Sequence, residues 1–357
     1  MIRVAAVTTT LATALALPLV APAVAAGQPR HSLRQARVSA VTLDGAGANS
    51  IDPFFEKVFY DYHKANPAVT VNYSPAGSSV GVADIEQRTV DFGDSEIPMA
   101  QADLAKAQGP VLQLPVDLGG IAVSYNVPGA PNGLKLDGAV LAGIFDGTIV
   151  NWDSPAIAKV SGVGGLPNLP IVPVHRADSS GPGWDLDQYL IKTSPAWVSK
   201  TGTTKPSKSW PLPTVGVGEQ LNSGVATYIS QTQGAIGYVE YGYALKAGFD
   251  NVAVHNAAGA FVVPSEASIA SAGSHATALA WNNFNIIFEP GKSTYPLANF
   301  SWTLVYKNQP NAAKAQALRA LFAYVVTTGQ AEAGPLGYAP LPANAVALAK
   351  LTLAQLA

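Results

Sequence analysis

The 357-residue chain has no cysteine. Neither disulfides nor thiolate chemistry is available to it, so its stability must come from burial, which a chain of this size can supply. The same absence removes the lipid-bearing N-terminal Cys that many exported binding proteins carry, so retention at a membrane would require a partner. Charge is also scarce. Only 12% of residues are charged, with 21 Lys and Arg against 23 Asp and Glu, too balanced for the basic footprint of a nucleic-acid binder. Beyond the first 26 residues no run approaches the ~18 apolar residues that a spanning helix needs. The five histidines (His31, His63, His175, His255 and His275) show no H-E-x-x-H or other tight ligand spacing, so no metal is expected. What is plentiful is glycine and proline, 33 and 27, which with so little charge fits a loop-rich α/β protein rather than a disordered one.

The N-terminus has a pattern of its own. Met1-Ile2-Arg3 is a short basic start, Val4 to Val20 an apolar core and Ala23-Val24-Ala25 a small-residue cleavage pattern, so residues 1–26 read as a cleavable secretory signal peptide. Residues 27–35 read as a flexible leader. The mature chain is expected to be soluble and outside the cytoplasm, secreted or in a periplasmic or cell-envelope space. Roughly 330 residues remain, enough for two domains of ~100 to 200 residues.

Two strand-like runs, Val38 to Leu43 and Val69 to Tyr73, are each followed by a small-residue loop and a helical pattern. The first loop is Gly45-Ala46-Gly47-Ala48-Asn49-Ser50. Its helix opens at Pro53 and repeats apolar residues at Phe54, Phe55, Val58, Phe59 and Tyr62. The second loop is Gly77-Ser78-Ser79-Val80-Gly81, with a helix over Val80 to Arg88 and a short strand over Val90 to Phe92, leading to Asp94-Ser95-Glu96. This is the parallel α/β pattern, whose loops at strand C-terminal ends hold ligands. A short helix over Gln101 to Gln108 precedes two apolar runs, Val111 to Pro115 and Gly119 to Asn126, that carry the chain into a second domain. There the spacing predicts helices over Gly138 to Phe145, from Pro182, and over Gly224 to Ser230. It predicts strands over Ile171 to Val174 and Ile236 to Tyr241, then looser material through Ser274 and a core belonging to that domain alone. Phe300 to Tyr306 (strand), Ala312 to Thr328 and Ala343 to Leu356 (helices) then return to the first domain.

A helix N-terminus presents unpaired N–H groups and the positive end of its dipole to the same spot, and so suits an anion without any Lys or Arg. Two such termini, with a carboxylate at Glu96 and a distant Arg176, read as one oxyanion-binding cleft. The glycines at 77 and 81 let backbone approach a ligand, and Ser78 offers both N–H and hydroxyl. The same five residues match G-x-S-x-G, the nucleophile elbow of an α/β-hydrolase with Ser79 as nucleophile. Too few residues precede it for that fold, however, and no Asp and His partners stand at recognisable sites. His175-Arg176-Ala177-Asp178-Ser179-Ser180-Gly181 repeats the strand, loop and helix arrangement. Its guanidinium is the side chain best suited to a tetrahedral oxyanion, with Asp178 placed to hold it.

Taken together, Gly45-Ala46-Gly47-Ala48, Asn72-Tyr73 with Gly77-Ser78-Ser79, Val90-Asp91-Phe92-Gly93, Arg176-Ala177-Asp178, Gly234 to Tyr241 and Leu336 to Pro342 resemble the phosphate-binding protein of the phosphate ABC transporter, in family order and over nearly the whole mature chain. The resemblance implies a two-lobe type II periplasmic-binding-protein fold, each lobe a mostly parallel α/β sheet flanked by helices. Lobe 1 would comprise residues 36–115 and 295–357, and lobe 2 residues 116–294. It further implies a monomer that traps inorganic phosphate for a membrane permease, without catalytic step or cofactor. The ligand contacts it implies are Asn49, Ser50, Ser78, Glu96, Arg176, Ser180, Gly181 and Pro182. Four depart from the family pattern: Asn49-Ser50 replace Thr-Phe, Glu96 replaces Asp, and Pro182 replaces a Thr, which removes one N–H and one hydroxyl. A carboxylate beside an anion is favourable only when the anion brings a proton, so Glu96 should favour phosphate over sulfate. Two other readings stay open: a relative that binds another oxyanion or serves as a secreted interaction protein, and a serine hydrolase or phosphatase using Ser79.

Overall fold

The computed structural model describes residues 40–277, 279, 280 and 285–357. The expected signal peptide, the 27–35 leader and the start of the first predicted strand lie outside them. The strands, in chain order, are β1 (Val41–Gly47), β2 (Val69–Ser74), β3 (Phe92–Ser95), β4 (Val111–Tyr125), β5 (Lys135–Leu136), β6 (Val172–Arg176), β7 (Val217–Glu219), β8 (Ala235–Glu240), β9 (Asp250–Asn251), β10 (Ala253–His255), β11 (Phe261–Val262) and β12 (Ala298–Tyr306). Nine of them form one sheet in the order β2-β1-β3-β12-β4-β8-β6-β7, with β9 joined to β4, while β11-β10-β5 form a small second sheet.

The large sheet has two halves. In the first, β2, β1 and β3 run parallel and β12 lies antiparallel between β3 and β4. In the second, β8, β6 and β7 run parallel and β8 lies antiparallel to β4. This is the two-lobe α/β architecture the resemblance implies, each half mostly parallel and flanked by helices. The two apolar runs expected at 111–115 and 119–126 are a single 15-residue strand. Its Val111–Gly120 stretch pairs with β12 and its Ile121–Tyr125 stretch with β8, and Val116 is the extra residue of a bulge opposite Ser301 and Trp302. Glycines and Asp117 suggested a break there, but partners on both edges keep the backbone extended.

The same physics moves the first loop. Gly45 and Gly47 belong to β1, whose register sets Gly45 between Tyr73 and Phe92. A Cβ on Gly45 would stand 2.1 Å from the Phe92 ring, so the glycine makes room for an aromatic side chain instead of a turn. The first helix, Asp52–Ala65, buries Phe54, Phe55, Val58, Phe59 and Tyr62 as the spacing predicts. The helix at Gly138–Phe145 falls where expected. That near Gln101 ends at Leu104, and the stretch expected to be loose contains a helix, Glu266–His275, capped by Ser265. Helices at Ala312–Val325 and Ala343–Leu353 close the chain.

A core belonging to the second half alone is found only in part. One apolar cluster runs from Leu43, Phe55 and Phe92 through Ile121 to Leu141, Leu190 and Tyr238. Among the described residues, only a smaller cluster around Val174, Val225, Ile229 and Val239 is confined to the second half and β4. The shared strand makes the cores continuous. Phe92 is a hub of the first half: fully buried, it stacks on Tyr73 at 6.1 Å and meets Phe55, Phe59 and Phe322 edge-on at 5.1 to 6.3 Å. Phe92→Ala is expected to cost about 3–5 kcal/mol, read as a lowered urea midpoint with an unchanged slope.

Candidate functional site

Three helices aim their N-termini at one region. Helix Asp52–Ala65 follows Asn49 and Ser50, and helix Ser78–Gln87 follows Gly77; neither has a side-chain cap. Helix Gly181–Thr193 is capped by Ser180, whose hydroxyl accepts the Gly183 amide at 3.1 Å. An α-helix cannot satisfy its own first amides; at the first helix Asp52 and Phe54 bond back to the Asn49 and Ile51 carbonyls and Pro53 has no N–H, so the donors left lie chiefly at the starts of the other two, at Ser78 and Gly181.

The structure brings the eight expected residues together. Asn49, Ser50, Ser78, Glu96, Arg176 and Ser180 are buried, with 1–6% exposure despite their polarity. Gly181 and Pro182 are buried with them. Ser50 Oγ donates to Glu96 Oε2 at 2.7 Å, and the Glu96 amide donates to Ser78 Oγ at 3.4 Å. Gly181 lies directly against this carboxyl, since a Cβ there would stand 2.2 Å from Glu96 Oε2. Glycine is therefore required at this point for steric reasons. The first half thus meets the second in direct contact, Glu96 against Gly181 and Ser79 Oγ against Ser179 Oγ at 2.6 Å, with Ser78 beside Glu96, and with Arg176 and Ser180 close to Gly181 in the chain.

Arg176 is the charge centre. Its Nε donates to Asp178 Oδ1 at 2.7 Å and its Nη2 to Oδ2 of the same carboxylate, a two-point clamp. Asp178 Oδ1 also accepts the Leu221 amide at 3.1 Å. The third nitrogen, Nη1, is buried without a hydrogen-bond partner. A buried donor left unmet is costly, so it marks a place for an acceptor.

Sequence reasoning missed several residues that complete the site. Asn299 Nδ2 donates to Glu96 Oε1 at 2.6 Å and to Asp185 Oδ2 at 2.9 Å. Asn222, fully buried, donates its amide to Asn49 Oδ1 at 2.9 Å and its Nδ2 to Ser50 Oγ at 3.3 Å. Asn49 Nδ2 in turn donates to the Tyr243 hydroxyl at 3.0 Å. These contacts join segments more than 100 residues apart, and no local spacing announces them.

Electrostatically the site is acidic underneath. Burial raises the Glu96 carboxyl above its ordinary range, while hydrogen bonds from Ser50 and Asn299 and the Arg176 charge pull it back. Asp117, Asp185 and Glu240 are pushed well up, chiefly by burial and then by neighbouring carboxylate charge, that of Glu96 common to all three. Asp94 is pushed up to about 8 by burial, against hydrogen bonds from Ser301 and Thr303. The hydrolase reading lacks its base: the Ser79 hydroxyl pairs with Ser179, and the His175 ring stacks on Trp210 and bonds the Arg176 carbonyl.

In the unfolded chain Asp94 releases its proton near 3.8, whereas in the folded one it keeps it to about 8. Between these values the unfolded state holds fewer protons, so stability is largest at the acid end and falls as pH rises through the window. Asp117, Asp185 and Glu240 act in the same direction. Calorimetric Tm is expected to decline across this range and the decline to be shallower in Asp94→Asn. A Tm that rises with pH would contradict this.

A family model described as the PBP superfamily domain matches residues 21–328. Phosphate-binding protein PstS of Xylella fastidiosa is 37% identical over 316 residues, 87% of this chain and 84% of that protein. Phosphate-binding protein PstS of Haemophilus influenzae is 36% identical over 312 residues, 87% and 91% of the two chains. Among solved structures, a phosphate-binding protein from Stenotrophomonas maltophilia superposes with a TM-score of 0.68 at 16% identity, covering 87% of this chain and 94% of that one. At that identity the superposition speaks to the fold.

Proposed function

This chain belongs to the PBP superfamily, and from that membership we propose that it is a solute-binding protein that captures inorganic phosphate between two lobes and hands it to the membrane permease of a phosphate ABC transporter. The PstS relatives support the ligand. The observation in the site that carries the reading is the buried Arg176 Nη1 without a partner. Its sister nitrogens are held by Asp178, so the free one is fixed in direction and offers a charge-assisted bond to a phosphate oxygen.

The remaining contacts follow from donor chemistry. Outward amides at residues 49, 50, 78 and 181, with the Ser78 and Ser180 hydroxyls, donate to phosphate oxygens. Glu96 is the one acceptor, and it takes the proton that phosphate retains near neutral pH and sulfate lacks. Pro182, in the first turn of its helix, contributes shape but no N–H or hydroxyl. The lobes in this proposal are residues 36–115 with 295–357, and 116–294, moving about the shared β4 and β12. The protein acts as a monomer outside the cytoplasm, delivered by the 1–26 signal peptide, and performs no covalent step on its ligand.

Isothermal titration of the purified chain is the test. Phosphate is expected to bind in a one-to-one ratio and sulfate to bind far more weakly, whereas the absence of heat with phosphate ends this reading. Arg176→Met, which leaves the phosphate charge without its fixed partner, should lower affinity by roughly 30-fold or more, at about 2–5 kcal/mol for a buried charged pair. Pro182→Thr restores a donor and should tighten binding about tenfold, the worth of one added bond to a charged group.

A further inference from the structure

Asn299 is the second residue of β12, and its register partner is Gly119 on β4, the strand common to both halves. Its side chain reaches two carboxyls that arrive from different directions. Glu96 follows β3 in the first half, and Asp185 lies one turn into the helix Gly181–Thr193, which packs on β8 in the second. The amide faces both with its nitrogen, and its two N–H groups are divided between them. All three side chains are buried, at 6%, 4% and 1% exposure.

The contact divides the labour of the Glu96 carboxyl. Oε1 is occupied by Asn299 at 2.6 Å, and Oε2 receives the Ser50 hydroxyl at 2.7 Å and faces Gly181 at the helix terminus. Oε2 is thus the oxygen turned toward the start of that helix, with a lone pair to spare. We propose that Asn299 is a specificity-determining positioning residue: by holding Oε1 it keeps Glu96 an acceptor aimed at the start of that helix, and so sets the pocket's preference for a protonated anion over a fully ionised one. This rests on the phosphate reading of the site.

The charged groups around Glu96 show why the hold matters. Arg176 at the end of β6 favours the carboxylate. Burial opposes it, and Asp94 on β3, Asp117 on β4, Glu240 on β8 and Asp185 on its helix, each raised in part by the Glu96 charge, would oppose it further only when ionised. The hydrogen bonds from Ser50 and Asn299 are what remain on the ionised side. Without the Asn299 donor, Glu96 takes up a proton more readily. A protonated carboxyl donates as well as accepts, and a donor at this position no longer rejects sulfate.

The full chain and its Asn299→Leu and Asn299→Asp variants are titrated with inorganic phosphate and with sulfate, at mildly acidic and mildly alkaline pH. In Asn299→Leu the phosphate-to-sulfate preference is expected to narrow by at least about tenfold, and sulfate binding should strengthen as pH falls. A packing role would weaken both anions together and leave the preference and its pH dependence as in the wild type, and that result overturns the proposal. Should Asn299→Leu fail to fold, Asn299→Asp, which keeps the shape but replaces the standing donor by a carboxyl, is read by the same two criteria. A wild-type chain that binds neither anion removes the phosphate reading and this inference with it. A phosphate-binding wild type with an unaltered preference in the variant removes the inference alone.

Discussion

A guanidinium with 2% exposure, two of its nitrogens fastened to one carboxylate and the third unmet, is the constraint to which the rest of this structure answers. Burying such a charge is tolerable only if its hydrogen-bonding capacity is met. Asp178 meets part of it and in doing so fixes the plane of the group. The unmet part is directed by packing, so an acceptor entering the site finds its partner already oriented, and little rotamer entropy remains to be lost on binding. The helix termini around the site supply further donors fixed by backbone geometry.

Acidity beneath these donors supplies the opposite requirement. Glu96 faces Gly181, and Asp94, Asp117, Asp185 and Glu240 lie buried behind it. Were all five ionised, their repulsion would be prohibitive at low local dielectric, and burial accordingly raises each of them. Glu96 differs from the others in receiving two side-chain hydrogen bonds together with the Arg176 charge. Environment, rather than residue type, sets one carboxyl apart from its neighbours.

Much of this was legible in the sequence because it is local. The face of Phe54, Phe55, Val58, Phe59 and Tyr62, the strand at Val69, and the loops at Gly77 and Arg176 are set by neighbours a few residues apart, and their placement follows from periodicity and turn chemistry. The eight expected site residues come together for the same reason, each standing at a strand end or a helix start. What was illegible is non-local. Gly45 reads as a turn until Phe92 is known to lie beneath it, and β4 reads as two runs until β12 and β8 are known to hold its edges. Asn299, Asn222 and Tyr243 have no sequence context that marks them, because their partners lie 114 to 203 residues away.

The position of β12 also bears on how the molecule is made. This strand lies between β3 and β4, pairing with both, yet it is the last strand of the chain to leave the ribosome. Until Tyr306 has emerged, β3 and β4 each present an edge with a vacant slot where their shared partner belongs, although the other pairings of the sheet do not involve it. Contacts of such long sequence separation form slowly, so the closing of this slot is governed by chain topology rather than by any local signal.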